Sequence, residues 1–429
     1  MTPFDRIEQR LPDLLTDLAA AQQPDYFDNM LGRTARTRQR SAWSALERWL
    51  PMGVTAQRVL VPPLPWRSIG ILVILGLLVA AGALIYVGSR PRVPEPFGPA
   101  RNGKILFSTI AGDIYSVDPL TGTSKAIVTG PAKDFVPTFS RDGTSFMFLR
   151  NVTGETGVDA LFVANADGSG VRKLTEGQTD LSQFEWSPSG VQAAVTFMLN
   201  GKRTLSILNT DGSDSNALDL DMDVFDVSWR PNGSELVFRG ERTENGSNTI
   251  DYSKTNGFYR VKADGTGLRA ILPATKLDTD WMTPALAPDG SRIAYARWEP
   301  KLEGRIHVLD LDSGIDRRVE FDGTDGPELT PRFSPDGTQL LLERYVRGGP
   351  DYQLVVVPVD GGGPAIAIGP RKPELSDGAA AAFSPDGTKV LATYWSDKTT
   401  WLLNAKGGPG SEVSWPAGPF PNSWQRLAP

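Results

Sequence analysis

The chain has 429 residues, 44 of them Gly and 34 Pro, with 40% hydrophobic and 22% charged residues, which is the composition of an ordered globular protein and excludes a disordered one. It holds no Cys, which excludes disulfides, thiolate metal sites and cysteine nucleophiles; its single His, His307, excludes a histidine-based metal set. The net charge of −6 is uneven: residues 1–67 carry nine Arg, no Lys and seven acids, so the remainder is acidic at −8 and excludes nucleic acid as its main partner.

In residues 1–67, Pro12 and Pro24 suit the first turns of two short helices, where a missing N–H costs nothing. A third segment, SAWSALERWLP, sets Trp43, Leu46, Trp49 and Leu50 on one helical side and ends at Pro51. With Arg36, Arg38 and Arg40 just upstream, Trp43 and Trp49 are candidates for binding anionic lipid or a protein partner, against the alternative that these helices pack on one another. Next comes SIGILVILGLLVAAGALIYVGS, residues 68–89, without a charge. As a helix it spans roughly 33 Å, enough to cross a bilayer. It is too far from the N-terminus for a cleaved leader, so a single membrane-spanning helix is predicted. The Arg cluster before it places the N-terminus in the cytoplasm and the C-terminal part outside. Residues 90–101, with PRVPEPFGP, form an extended linker.

From residue 102 onward the chain repeats. FSPDGT occurs at 333–338 and again at 383–388, with weaker relatives TFSRDGT, EWSPSG, SWRPNGS and ALAPDGS. The turn glycines Gly143, Gly190, Gly233, Gly290, Gly337 and Gly387 lie 47, 43, 57, 47 and 50 residues apart, a period that belongs to propellers and related arrays. Ser opens a type I turn, Pro sets φ at the second position, and Gly takes the left-handed position that returns the chain, so each copy joins two antiparallel strands. A second Gly-rich turn comes later in each copy, and each unit reads as four strands. His307, in the alternating stretch RIHVLDL, reads as a strand residue. The alternation of SPDG turns with DGSG-like turns resembles the WD-repeat-like units of TolB-type β-propellers over residues 102–429. The copies depart from the pattern at Arg141 (for Pro), Ser189 (for Asp) and Arg230 (for Ser). The fold expected is all-β, a propeller preceded by a transmembrane helix and a small helical segment. Seven blades result if NSWQRLA, near the C-terminus, supplies the first strand of a unit completed by residues 103–129; six is the alternative, with the terminal pieces packed outside.

Nine or ten residues before each turn glycine stands an acid: Asp134, Asp180, Asp223, Asp280, Glu328 and Asp377. These six are expected near one mouth of the central channel, either as an electronegative funnel for a ligand or as local loop-ordering groups. DLDMDVFD (219–226) has alternating acids but lacks the Gly and final Glu of a calcium loop, so no metal site and no cofactor is assigned. The polar insertion 241–256 extends one loop. With no G-x-S-x-G elbow and no phosphate loop, the chain reads as a non-enzyme. The whole resembles, in layout only, transmembrane anti-sigma-type regulators. That resemblance implies an extracytoplasmic sensor or scaffold with membrane lipid and a protein partner on each side; a passive envelope-assembly scaffold and a propeller enzyme acting on glycans are the alternatives.

Overall fold

The repeated turn shows how this chain builds its sheets. In the computed structural model, the Ser334 hydroxyl donates to Asp336 Oδ1 at 2.6 Å, and the same carboxylate oxygen accepts from the Thr338 N–H at 3.1 Å and hydroxyl at 2.9 Å. Ser334 Oγ in turn accepts the Gln339 N–H at 3.0 Å, while Gly337 holds φ at 71°. Ser384, Asp386, Thr388, Lys389 and Gly387 repeat this arrangement. The polar side chains of the motif are thus engaged within their own turn, which is the structural role expected of the repeat.

The structure describes Gly70, residues 72–79, Glu95 and most of 97–428. Residues 1–69, 80–94, 242–255, 273–283, 300–302, 323–325, 347–350, 374–378, 395–396, 416–422 and a few single positions lie outside the described residues. The chain divides into two compact units, residues 1–90 and 91–429. In the first, Gly70 and 72–79 are helical, and its seven large apolar side chains from Leu72 to Val79 are 56–69% exposed. Among the described residues no helix is long and apolar enough to cross a membrane, and the rest of the predicted span 68–89 lies outside them. Arg36, Arg38, Arg40, Trp43 and Trp49 also lie outside the described residues.

The second unit is an all-β propeller. Its 28 described strands form five separate four-stranded antiparallel sheets and one eight-stranded sheet, so separate blades number five where seven were expected. The difference arises because strand Val158–Asn165 pairs with the following Gln178–Trp186 through Val158↔Thr179 and Asp159↔Gln178, fusing residues 134–217 into one sheet. Each sheet packs against its neighbours through alternating aliphatic and aromatic residues. The largest cluster, around Tyr295, Ile306, Leu342 and Val355, spans adjacent sheets. His307 sits buried within strand Glu303–Asp310 with Nδ1 3.1 Å from Asp316 Oδ2.

The two ends of the propeller meet. Strand Ser423–Leu427 pairs antiparallel with Arg101–Ser108, which continues into Ile114–Val117 and Ser124–Val128, so the C-terminal strand completes the N-terminal sheet. Four side chains lock the seam: Trp424 Nε1 donates to the Gly103 carbonyl at 3.2 Å, Gln425 Nε2 to Gly143 at 2.7 Å, Arg101 Nε to Ala428 at 2.5 Å, and the Phe139 N–H to Ser423 Oγ at 2.9 Å. Gly143 adopts φ 71°, and a Cβ there would stand 2.3 Å from the Arg426 carbonyl, so the turn closes tightly on this strand. Deleting residues 423–429 is expected to lower the thermal unfolding midpoint by roughly 5 °C or more, read by circular dichroism, because an open edge is created on Arg101–Ser108 and several long-range hydrogen bonds are lost together. A midpoint within a degree of the wild type would show that the seam contributes nothing.

Candidate functional site

Four of the six acids expected at a channel mouth are described: Asp134, Asp223 and Glu328 each begin the first strand of a sheet, and Asp180 is the third residue of Gln178–Trp186, inside the eight-stranded sheet. Asp134 is buried and receives a bidentate clamp from Arg150, Nε to Oδ1 at 2.6 Å and Nη2 to Oδ2 at 2.8 Å. Burial still outweighs that partner and pushes its carboxyl above the usual range. Asp180 and Asp223 meet on one residue: Arg203 pairs with Asp180 through its guanidinium and donates its backbone N–H to Asp223 at 2.6 Å. Glu328 is fully buried, accepting the Ile306 N–H on Oε2 at 3.3 Å, while its Oε1 has no hydrogen-bond partner among the described residues. Asp280 and Asp377 lie outside the described residues, as does most of the insertion 241–256. Of the alternating acids in 219–226, Asp226 is taken up by Arg239 Nε at 2.8 Å and by Gln183 Nε2 at 3.0 Å. Among the described residues no group of three or more His, Cys, Asp or Glu is arranged to hold a metal.

These four strands then bend. Val136, Asp180, Asp226 and Thr330 hold φ of 50–52°, a left-handed conformation costly for any non-Gly residue and most so for β-branched Val and Thr. Beside each the pairing register slips: between Phe135 and Thr138, Thr179 and Gln183, Phe225 and Ser228, and Leu329 and Arg332. A bulge of this kind re-aims the side chains beyond it.

Residues just past these bulges line a cavity of about 370 Å³ where the first strands converge. Its walls come from Glu185, Ser228, Trp229, Leu286, Arg332, Phe333, Phe383 and Trp424, with Arg141 and Arg426 adding charge and Phe97 an aromatic face. Arg141 Nη2 donates to Glu185 Oε1 at 2.6 Å while its guanidinium lies 4.6 Å from the Phe97 ring centroid. Arg426 Nη2 is tied to the carbonyls of Glu95 and Gly98, both at 2.8 Å, yet its buried Nε has no hydrogen-bond partner among the described residues. Burial, together with nearby Arg141, lowers the Arg426 guanidinium to about 10. Burial also lowers Arg332, against the attraction of Glu343 and Asp226. Burial raises Glu185, opposed by Arg141. The cavity lining therefore carries three arginines against one carboxylate inside an acidic protein.

None of the cavity's charged residues was among the acids singled out by spacing. The signal that points to Arg141 is its departure from the repeat, an Arg where FSPDGT has Pro. Phe333, Pro335, Phe383 and Pro385 of the two FSPDGT copies themselves line the cavity, so the turn that reads as structural also places a wall.

No family model matches the chain. Over 177 residues it is 24% identical to a Protein TolB homolog of Chlorobium luteolum, covering 41% of this chain and 36% of that protein. Over 235 residues it is 25% identical to Dipeptidyl-peptidase 5 of Porphyromonas endodontalis, covering 46% of this chain and 34% of that protein. The chain thus spans little more than a third of the length of these relatives. Among solved structures, an oligogalacturonate lyase in complex with manganese aligns with a TM-score of 0.53 and 15% identity over 74% of this chain and 86% of that one, a likeness of fold. The reading of the chain as a non-enzyme is corrected by these matches: a sequence relative is a peptidase by name, and propellers carry catalytic sites that no single short motif announces.

The burial of Glu328 makes a pH test. Its proton is bound more tightly folded than unfolded, because burial outweighs the Ile306 N–H and the nearby Arg305, Arg318 and Arg344, so its ionisation costs the fold stability as pH rises. Compared with Glu328→Gln, the wild type should be relatively less stable at pH 8 by on the order of 1 kcal/mol, a deficit that shrinks toward pH 5 in urea titrations. A difference that is constant with pH would remove this account of Glu328.

Proposed function

We propose, from the premise that the described body of this chain is a TolB-like β-propeller, that the protein is a membrane-anchored scaffold whose propeller binds a partner outside the cytoplasmic membrane. The observation that carries this reading is the uncharged run 68–89 placed directly before the propeller. Its described helical residues are apolar on every side and open on every side, as suits a helix whose solvent is lipid. Orientation is assigned from the Arg cluster of residues 33–40, which holds the N-terminus in the cytoplasm. In this reading Arg36, Arg38, Arg40, Trp43 and Trp49 meet anionic lipid or a cytosolic protein, and occupancy of the propeller is relayed to that protein. The eight-stranded sheet counts as two four-stranded blades joined at one edge, which makes the ring seven-bladed.

A second reading is favoured by the identity to Dipeptidyl-peptidase 5: the propeller serves a peptide-cleaving activity. Release of a chromogenic leaving group from dipeptidyl substrates by the purified full chain would support it.

The anchor is tested by fractionation. The full chain should stay in the membrane pellet after alkaline carbonate extraction, deletion of 68–89 should release it, and protease added outside should digest the propeller while sparing residues 1–67. A full chain recovered in the carbonate supernatant would defeat the reading.

A further inference from the structure

The central cavity is lined by two unlike kinds of side chain. One is cationic, from Arg141, Arg332 and Arg426, and the carboxylate among its lining residues, Glu185, is taken by Arg141. The other is flat and apolar, from Phe97, Phe333, Phe383 and Trp424. Two donors of lining residues, Arg426 Nε and Trp229 Nε1, are buried with no acceptor among the described residues. A buried donor left unmade is costly, and a charged one more so, so an acceptor placed against the Arg426 guanidinium gains more than it would at an exposed one. The Arg426 guanidinium is already fixed by two backbone carbonyls at 2.8 Å, so little side-chain freedom remains to be lost on binding. The volume of about 370 Å³ is at the small end of ligand sites.

We propose that this cavity is a binding site for an organic carboxylate attached to a flat apolar group, the carboxylate held by Arg426 with Arg332 adding charge, and the apolar group against the Phe333, Phe383 and Trp424 rings. The proposal rests on the reading of the propeller as a binding module and names the chemistry it recognises. A free aromatic acid and the C-terminus of a peptide ending in Phe share that chemistry. Glu185 acts as an internal competitor, because it occupies Arg141.

The full chain in mild detergent is titrated calorimetrically with phenylacetate, with neutral phenylacetamide, and with N-acetylglycylphenylalanine bearing a free carboxylate. Phenylacetate or the peptide should bind saturably, and the amide about tenfold or more weaker. The tighter of the two carboxylates identifies the source, a free acid or a peptide end. Arg426→Gln and Arg332→Gln should each weaken binding by about tenfold. Glu185→Gln should tighten it by about threefold, since Arg141 is released, and a gain of affinity is not produced by misfolding. Equal binding of acid and amide, no binding by a protein whose unfolding midpoint is normal, or weaker binding by Glu185→Gln would each overturn the proposal. Such a failure leaves the carbonate-extraction result, and with it the anchor, untouched.

Discussion

A ring of sheets is closed only where its last strand meets its first, and here that contact is made by five residues, Ser423–Leu427, lying against Arg101–Ser108. The pairing joins segments more than 315 residues apart in sequence, so its closure entropy is met late and is offset only when the intervening sheets are already stacked. The seam also carries the site. Trp424 and Arg426 are cavity residues as well as closing residues, and Gln425, between them, bonds the turn at Gly143. The strand that makes the fold a ring thus brings an arginine and an aromatic ring to its centre, so the completeness of the cavity depends on the closure of the fold.

The second constraint is the bulge. A straight strand alternates its side chains with period two, which would fix every residue of a first strand to one of two faces. The left-handed residues Val136, Asp180, Asp226 and Thr330 break that count. Upstream, Asp134 and Glu328 turn into the protein and are engaged by Arg150 and the Ile306 N–H; downstream, Glu185, Ser228 and Arg332 reach the cavity. Val136, Asp226 and Thr330 recur at the same place relative to the following turn and Asp180 lies three residues earlier in its own copy; each is a cost on the order of 1–3 kcal/mol, sustained by the sheets on either side.

These two constraints explain what was legible in the sequence. The turn chemistry was, because Ser, Asp and Gly act within six residues and their hydrogen bonds need no partner from elsewhere. The meeting of the two ends was as well, since NSWQRLA is a strand without a partner in its own unit. The position of the acids at strand starts was read from spacing, but their surroundings depend on the bulge, which no local pattern of Val136 or Thr330 announces. The fusion of two sheets into one through Val158 and Asp159 was equally invisible, being a matter of two residue pairs at an edge. The arginines were hidden for a different reason. A search for what recurs in a repeat protein finds what holds the repeats together; what a ligand meets is asymmetric and sits where copies differ. Arg141 stands at a departure from FSPDGT, Arg332 is one residue before a perfect copy, and Arg426 lies in the closing strand.

The charge balance makes the same distinction. Beyond residue 67 the chain carries a net −8, and its exposed turns are rich in Asp, which keeps such a surface soluble and repels anions at a distance. That repulsion is screened within about 10 Å at moderate salt, whereas charges inside a cavity with apolar walls are screened much less. An anion that reaches the centre therefore meets Arg332 and Arg426 at close range, with the acidic exterior as a weak and salt-dependent barrier. The burial that lowers both guanidiniums is the same burial that strengthens their attraction for an acceptor. Two arginines kept partly desolvated at the centre of an acidic ring have the physical consequence of attracting negative charge to a place where the exterior disfavours it.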